Sequence, residues 1–296
     1  MQISHPLTGS MVALITPMYE NGDVDFDALE KLVNFHIESG TKAIVSVGTT
    51  GESATLNHDE HIEVMKKTIE YSNGRIPVVA GTGANSTSEA IELTEAAKDI
   101  NADACLLVTP YYNKPTQEGL YQHYKKIAES VEIDQILYNV PGRTGVDMSV
   151  DTVARLANIE NIIGVKDATG DLNVAKSLIQ KCPESFILLS GDDATAIDFV
   201  IMGGHGGISV TANVVPKLLS TAYDLAIRGN ADKAKEIDLE ISNLHSHLFI
   251  ESNPIPVKWA MHKMGFCENG IRLPLTKLSS ESRKIIEVDL QNQGLL

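Results

Sequence analysis

The chain has 296 residues, of which 43 % are hydrophobic, 21 % charged and only 5 % aromatic, an ordinary globular composition with enough apolar material for one large core. Its 24 basic and 39 acidic side chains give a formal charge of −15, which repels phosphate backbones and anionic lipid and argues against nucleic-acid or membrane binding as the main role. Cys105, Cys182 and Cys267 are odd in number and far apart, so they form neither a disulfide framework nor a metal-ligand spacing.

From the N-terminus, MQISHPLTGS lacks a basic segment followed by an apolar stretch, and no run of about 18 apolar residues follows anywhere, so a cytoplasmic protein is expected. The chain then alternates short apolar runs with longer amphipathic segments. SMVALITPM (10–18) precedes VDFDALEKLVNFHIESG, whose apolar residues fall near helical spacing, with acidic residues early and Gly40 at the end. AIVSVGTTG (43–51) precedes the helix-like NHDEHIEVMKKTIEYSNG. IPVVAGTG (76–83) precedes STSEAIELTEAAKDINA, with Asn or Ser ahead of acidic residues as N-caps. ACLLVTPYY (104–112), which holds Cys105 as a small core residue, is followed by QILYNVPG (135–142) and SVDTVARLANI. IIGVKDATG (162–170), LNVAKSLIQKC, FILLSGDD (186–193), DATAIDFVIMGG and GGISVTAN (206–213) complete the series. Each run is rich in Val, Ile and Leu and closed by Gly, Pro, Thr or Asp, as parallel strands buried on both faces read.

Eight such runs, mostly separated by helices, predict an α/β fold, an eight-stranded (β/α)8 TIM barrel. The alternative is a doubly wound open sheet, which the absence of a GxGxxG opening a strand–helix unit disfavours. Strand signals stop after about residue 215, and the remainder reads as helical. A barrel over 1–222 with a C-terminal helical region over 223–296 packed on it is therefore expected.

Barrels of this type do their chemistry at the C-terminal strand ends, where the chemically interesting residues of this chain recur. Lys166 ends the run Ile162–Val165; loss of hydration there favours the neutral amine, which attacks a ketone to give an imine. Its competing reading is an ion pair with Asp167 or a side chain reaching solvent. Tyr138, one strand earlier, can relay protons with a threonine hydroxyl, or can simply be a packed aromatic. Thr49 and Thr50 offer hydroxyls and turn N–H groups suited to a carboxylate. Arg143 can grip a carboxylate bidentately or form a surface salt bridge. Asp192 and Asp193 lack the companions of a divalent-metal site, so helix N-capping is expected of them, and His58 and His61 lack further ligands.

Together GTTGES (48–53), TPYYNKP (109–115), YNVPGRTG (138–145), GVKDATG (164–170) and GDD (191–193) resemble the 4-hydroxy-tetrahydrodipicolinate synthase family, long called dihydrodipicolinate synthase, in the pyruvate-dependent Schiff-base lyase superfamily. The ordered resemblance runs from about Thr8 to Leu296 through NPIPVKWA (253–260), RLPLT (272–276) and GLL (294–296). It implies that Lys166 forms the imine with pyruvate and that Tyr138, Thr49 and Tyr112 form a proton relay, Tyr112 acting in a neighbouring subunit's site. It further implies that Thr50 holds the pyruvate carboxylate, that Arg143 receives the carboxylate of L-aspartate 4-semialdehyde, and that Gly191 and Ile208 line the site. The implied reaction makes 4-hydroxy-tetrahydrodipicolinate, the first committed step toward diaminopimelate and lysine, with no metal or organic cofactor, in a homotetramer of two tight dimers. Ser53, Ala54, His58, His61, Asn85, Glu89 and Tyr111 match positions of an interfacial L-lysine inhibitory site. Two positions depart from the pattern. Gly207 replaces a bulkier apolar residue, which is expected to loosen entry to that strand, and Ser252 stands where proline is common. Rival readings are N-acetylneuraminate lyase, a 2-keto-3-deoxy-sugar acid aldolase, or a non-catalytic keto-acid-binding paralogue. Arg143 within PGRTG and the TPYYNKP segment favour the synthase.

Overall fold

Each apolar run supplies a strand of four to six residues, and its last residues leave the strand. In the computed structural model, which describes residues 5–296, chain order begins β1 (Gly9–Ala13), α1 (Phe26–Glu38), β2 (Ala43–Ser46), α2 (His58–Ser72), β3 (Val78–Gly81) and α3 (Thr87–Asp99). It continues with β4 (Ala104–Val108), α4 (Gln117–Ser130), β5 (Gln135–Asn139), the short α5 (Pro141–Thr144), α6 (Val150–Leu156), β6 (Ile162–Asp167) and α7 (Leu172–Lys181). Then follow β7 (Ile187–Ser190), α8 (Ala196–Ile201), β8 (Gly206–Ser209), α9 (Pro216–Ile227), α10 (Ala231–Glu240), α11 (Ser242–His247), α12 (Ile255–Lys263) and α13 (Ser280–Asn292). The eight strands pair in parallel in sequence order and close between β1 and β8, giving the expected (β/α)8 barrel.

Period-two alternation splits the core in two. Met11, Val45, Val79, Leu106, Ile136, Leu189 and Ile208 point into the barrel, while Val12, Ile44, Leu107, Leu137, Val165 and Leu188 face the helices. The same alternation turns Tyr138 inward with Ile136, and Lys166 inward after Val165. Helix starts follow their capping chemistry. Asp25 accepts from the Ala28 N–H at 2.9 Å, and Asn57 and Glu60 form a reciprocal capping box. Ser86 occupies the N-cap position of α3, but its hydroxyl bonds Ser88 instead. No helix among the described residues is long and apolar enough to cross a membrane.

The barrel's last helix, α9, packs against β1 and carries through residue 222 to Ile227. From there α11 and α12 lie against the short turns that follow β7 and β8, so the C-terminal region folds over the end of the barrel where chemistry is expected. Gly207 gives no looseness to β8: Tyr223 of α9, itself 1 % exposed, puts its hydroxyl 2.1 Å from where a Gly207 β-carbon would stand. Ser252 is exposed, and its carbonyl accepts from the Ile255 N–H at 2.9 Å.

Candidate active site

Lys166 and Tyr138 are paired across β5 and β6, and the lysine Nζ lies 4.2 Å from the centre of the Tyr138 ring. Lys166 is 5 % exposed. It does not pair with Asp167, which faces the other way and accepts from the Thr169 hydroxyl at 2.5 Å and Asn139 Nδ2 at 3.3 Å. Burial raises the Asp167 carboxyl above the usual range, partly offset by those hydrogen bonds. Both Lys166 and Tyr138 open into a cavity of about 270 Å³ walled also by Thr49, Thr50, Arg143 and Gly191.

The Thr49–Thr50 wall is a turn under strain. Val47, buried and β-branched, adopts φ 54°, and Glu52 adopts φ 58°, a left-handed region costing about 1–3 kcal/mol per non-glycine residue. Tertiary contacts hold it there. The Thr16 hydroxyl donates to the Gly51 carbonyl at 2.7 Å, and the buried Glu52 carboxylate pairs with Lys258 of α12 while accepting from the Thr55 hydroxyl at 3.0 Å. A further part of the wall comes from the C-terminal region. Asn253 Nδ2 donates to Thr50 Oγ1 at 3.0 Å, and the Asn253 carbonyl accepts from Arg143 Nη2 at 3.3 Å.

Asp192 and Asp193 serve as polar struts. Asp192 caps the following turn through the Thr195 N–H and hydroxyl, at 3.1 and 2.7 Å. Asp193 Oδ2 accepts from the N–H groups of Val210 and Thr211, both at 3.0 Å, and the Thr211 hydroxyl also bonds His245 Nδ1 at 3.0 Å. Burial pulls the His245 imidazole down, but the Asp238 hydrogen bond and the charges of Asp193, Asp238 and Asp192 outweigh it and hold it above its ordinary range. No cluster of three or more His, Cys, Asp or Glu that could hold a metal occurs among the described residues. Cys105 is fully buried, its thiol pushed up to about 12 by burial, which leaves it inert.

A second cavity, of about 380 Å³, shares Thr49, Val140, Arg143 and Asn253 with the first. Ser53, Ala54, His61, Glu89 and Tyr111 line it. Burial holds His61 below the usual imidazole range, against the Gly81 carbonyl 2.7 Å from its Nε2. Burial, then the charge of Glu89, raises the Tyr111 phenol.

The model of the "Dihydrodipicolinate synthetase family" matches residues 6–293. The chain belongs to this family. It is 67 % identical to the 4-hydroxy-tetrahydrodipicolinate synthase of Ruthia magnifica subsp. Calyptogena magnifica over the whole of both chains. It superimposes on the chloride-inhibited dihydrodipicolinate synthase of Acinetobacter baumannii complexed with pyruvate at TM-score 0.97 and 57 % identity, over 98 % of this chain and 100 % of that one. It also superimposes on the lysine-bound enzyme of Cyanidioschyzon merolae at TM-score 0.96 and 35 % identity, over 99 % and 100 % of the two chains.

Of the residues that the dihydrodipicolinate synthetase motifs point to, six meet in the first cavity: Lys166, Tyr138, Thr49, Thr50, Arg143 and Gly191. Tyr112 does not line it; the side chain stands 88 % exposed at φ 74°. Ile208 is packed inside the barrel at 1 % exposure, and Val210, two residues on, lines the cavity. His58 is exposed at the start of α2, and Asn85 bonds the Tyr111 carbonyl at 3.2 Å from outside the second cavity. His245, Ser246, Phe249 and Asn253 also line the cavity, and no strand-end motif points to them. Only NPIPVKWA carried a signal for any of them.

Proposed function

We propose that this protein condenses pyruvate, held as a Lys166 imine, with L-aspartate 4-semialdehyde to give 4-hydroxy-tetrahydrodipicolinate and water. The observation that carries the reading is the Lys166 amine over the Tyr138 ring in a cavity that Thr50 and Arg143 also line. The amine attacks the keto carbon, and loss of water gives an imine whose enamine form places nucleophilic character on the methyl carbon. Protons must pass to and from the departing oxygen; Tyr138 and Thr49 line the same cavity, and their hydroxyls are assigned to carry them. Carbon–carbon bond formation consumes the aldehyde. The product's single nitrogen comes from the semialdehyde, so that substrate's amine must displace Lys166 at the imine carbon and close the ring. Thr50 is assigned to the keto-acid carboxylate and Arg143 to the semialdehyde carboxylate, the latter through a planar fork suited to two oxygens.

Tyr112 completes the relay in this reading from a second copy of the chain, which requires at least a dimer; its exposure and left-handed backbone support a role outside its own subunit. The second cavity is assigned to L-lysine as a feedback inhibitor. The Glu89 carboxylate and Tyr111 hydroxyl there suit an ammonium group, and a family member is known with lysine bound.

Borohydride reduction with pyruvate, followed by peptide mass mapping, tests the central claim. A pyruvyl group on Lys166 is expected, and an adduct elsewhere or none overturns it. Turnover with L-aspartate 4-semialdehyde, set against cleavage of N-acetylneuraminate and 2-keto-3-deoxygluconate, tests the substrate. Unchanged turnover in millimolar L-lysine would reject the regulatory assignment.

A further inference from the structure

Among the described residues, Asn253 alone hydrogen-bonds the side chains of both residues assigned to substrate carboxylates, Thr50 and Arg143. Its side-chain Nδ2 donates to Thr50 Oγ1 at 3.0 Å, and its main-chain oxygen accepts from Arg143 Nη2 at 3.3 Å. It is 5 % exposed and forms part of the wall common to both cavities. The remaining atom of its amide, Oδ1, is buried and has no partner among the described residues.

The direction of the Thr50 bond has a chemical consequence. A hydroxyl has one proton to give and two lone pairs to receive with. With a lone pair of Thr50 occupied by the Asn253 amide, and with no acceptor for the Thr50 proton among the described residues, that proton is left for an anion in the cavity. Donation to a carboxylate is about twice as strong as donation between neutral groups. An acceptor in place of the amide N–H would reverse the polarity, taking the Thr50 proton and turning a lone pair toward the substrate.

We infer that Asn253 is a positioning residue for the keto acid: it commits the Thr50 hydroxyl to donate to the pyruvate carboxylate. The inference rests on the Lys166–pyruvate reading. It adds a residue from the segment leading into α12, which the barrel strands do not supply.

The test titrates pyruvate alone against the full-length chain, traps the imine with borohydride and measures the Lys166 adduct by mass spectrometry. Asn253→Ala is expected to raise half-saturating pyruvate about tenfold, with the same adduct yield at saturation. Asn253→Asp is expected to raise it about a hundredfold, since the introduced carboxylate takes the Thr50 proton and repels the substrate. In a Thr50→Val background Asn253→Ala should change half-saturation by less than about twofold, because its route of action is already gone. Should Asn253→Ala fail to fold, Asn253→Ser, whose hydroxyl is too short to reach Thr50, carries the same expectations. Normal half-saturation in these variants overturns the inference, as does a tenfold effect that survives in the Thr50→Val background. Absence of any adduct on the unsubstituted chain overturns the Schiff-base reading instead.

Discussion

Gly191 lies against the stem of Lys166: a β-carbon at Gly191 would come within 2.6 Å of Lys166 Cε, 2.9 Å of Ala168 Cβ and 3.0 Å of Lys166 Cγ. The glycine is therefore what lets the lysine stand inward over Tyr138. Gly191→Ala is expected to push the amine aside and, because the Ala168 β-carbon is fixed to the backbone and cannot swing away, to cost some stability as well. A displacement of about 1 Å at a reacting group costs about a hundredfold in rate. Borohydride trapping should slow by at least that much at a temperature where circular dichroism shows the variant still folded. A variant that traps pyruvate at the parent's rate would show that this contact does not set the lysine's position.

Tyr138 offers two separable features, a ring against the Lys166 amine and a phenol hydroxyl proposed to transfer protons. Tyr138→Phe keeps the ring and removes the hydroxyl. Turnover should fall by about 10²–10⁴, the usual worth of a general acid–base group, while the adduct still forms at long times. A loss below about threefold would leave the hydroxyl without a catalytic part.

What the sequence disclosed follows from chain locality. Lys166 and Tyr138 each stand one residue before the end of adjacent strands, and strand alternation turns both inward, so their meeting was legible from the runs IIGVK and QILY. Thr49 and Arg143, just past strand ends, were found because barrel chemistry gathers there. His245, Phe249 and Asn253 arrive from a helical region whose path over the barrel mouth depends on long-range contacts, among them Lys258 to Glu52 and Arg272 to Glu60, and no local pattern encodes that path. The left-handed Val47 was invisible for a related reason. Valine disfavours that conformation, and only tertiary contacts enforce it. The helix Gln117–Ser130 went unread between its two neighbouring strands, although its buried Leu120, Tyr124 and Ile127 keep helical spacing.

The Glu52–Lys258 pair joins the Thr49–Thr50 turn to α12, with side chains 0 % and 4 % exposed. Burial lowers the Lys258 ammonium, and the charge of Glu52 opposes that shift. Removing one partner strands a buried charge, so Glu52→Gln and Lys258→Met should each destabilise by about 3–5 kcal/mol. Replacing both by apolar residues of similar volume should cost much less than the two single changes added together. Urea unfolding of the two single variants and the double variant measures this, and strictly additive losses would show that the two groups do not act as a pair.

His36 makes the fold sensitive to acid. It is fully buried in α1, where burial holds the imidazole down to about 3; Nδ1 bonds the Thr41 hydroxyl at 3.0 Å, and Nε2 has no partner among the described residues. Because the folded value lies below the ordinary 6.5, the unfolded chain takes up a proton first as the pH falls. The stabilisation from a neutral His36 is complete above about pH 6.5 and drains at about 1.4 kcal/mol per pH unit toward pH 3. His123, held down to about 4 by burial, adds to the loss over an overlapping window. His36→Leu removes the proton acceptor and the unpartnered nitrogen together. Its unfolding free energy, measured in urea between pH 7.5 and 4.5, should fall less steeply than the parent's by about 1.4 kcal/mol per unit below pH 6.5. Parallel curves for parent and variant would mean that water reaches the imidazole and that protonation of His36 is not coupled to unfolding.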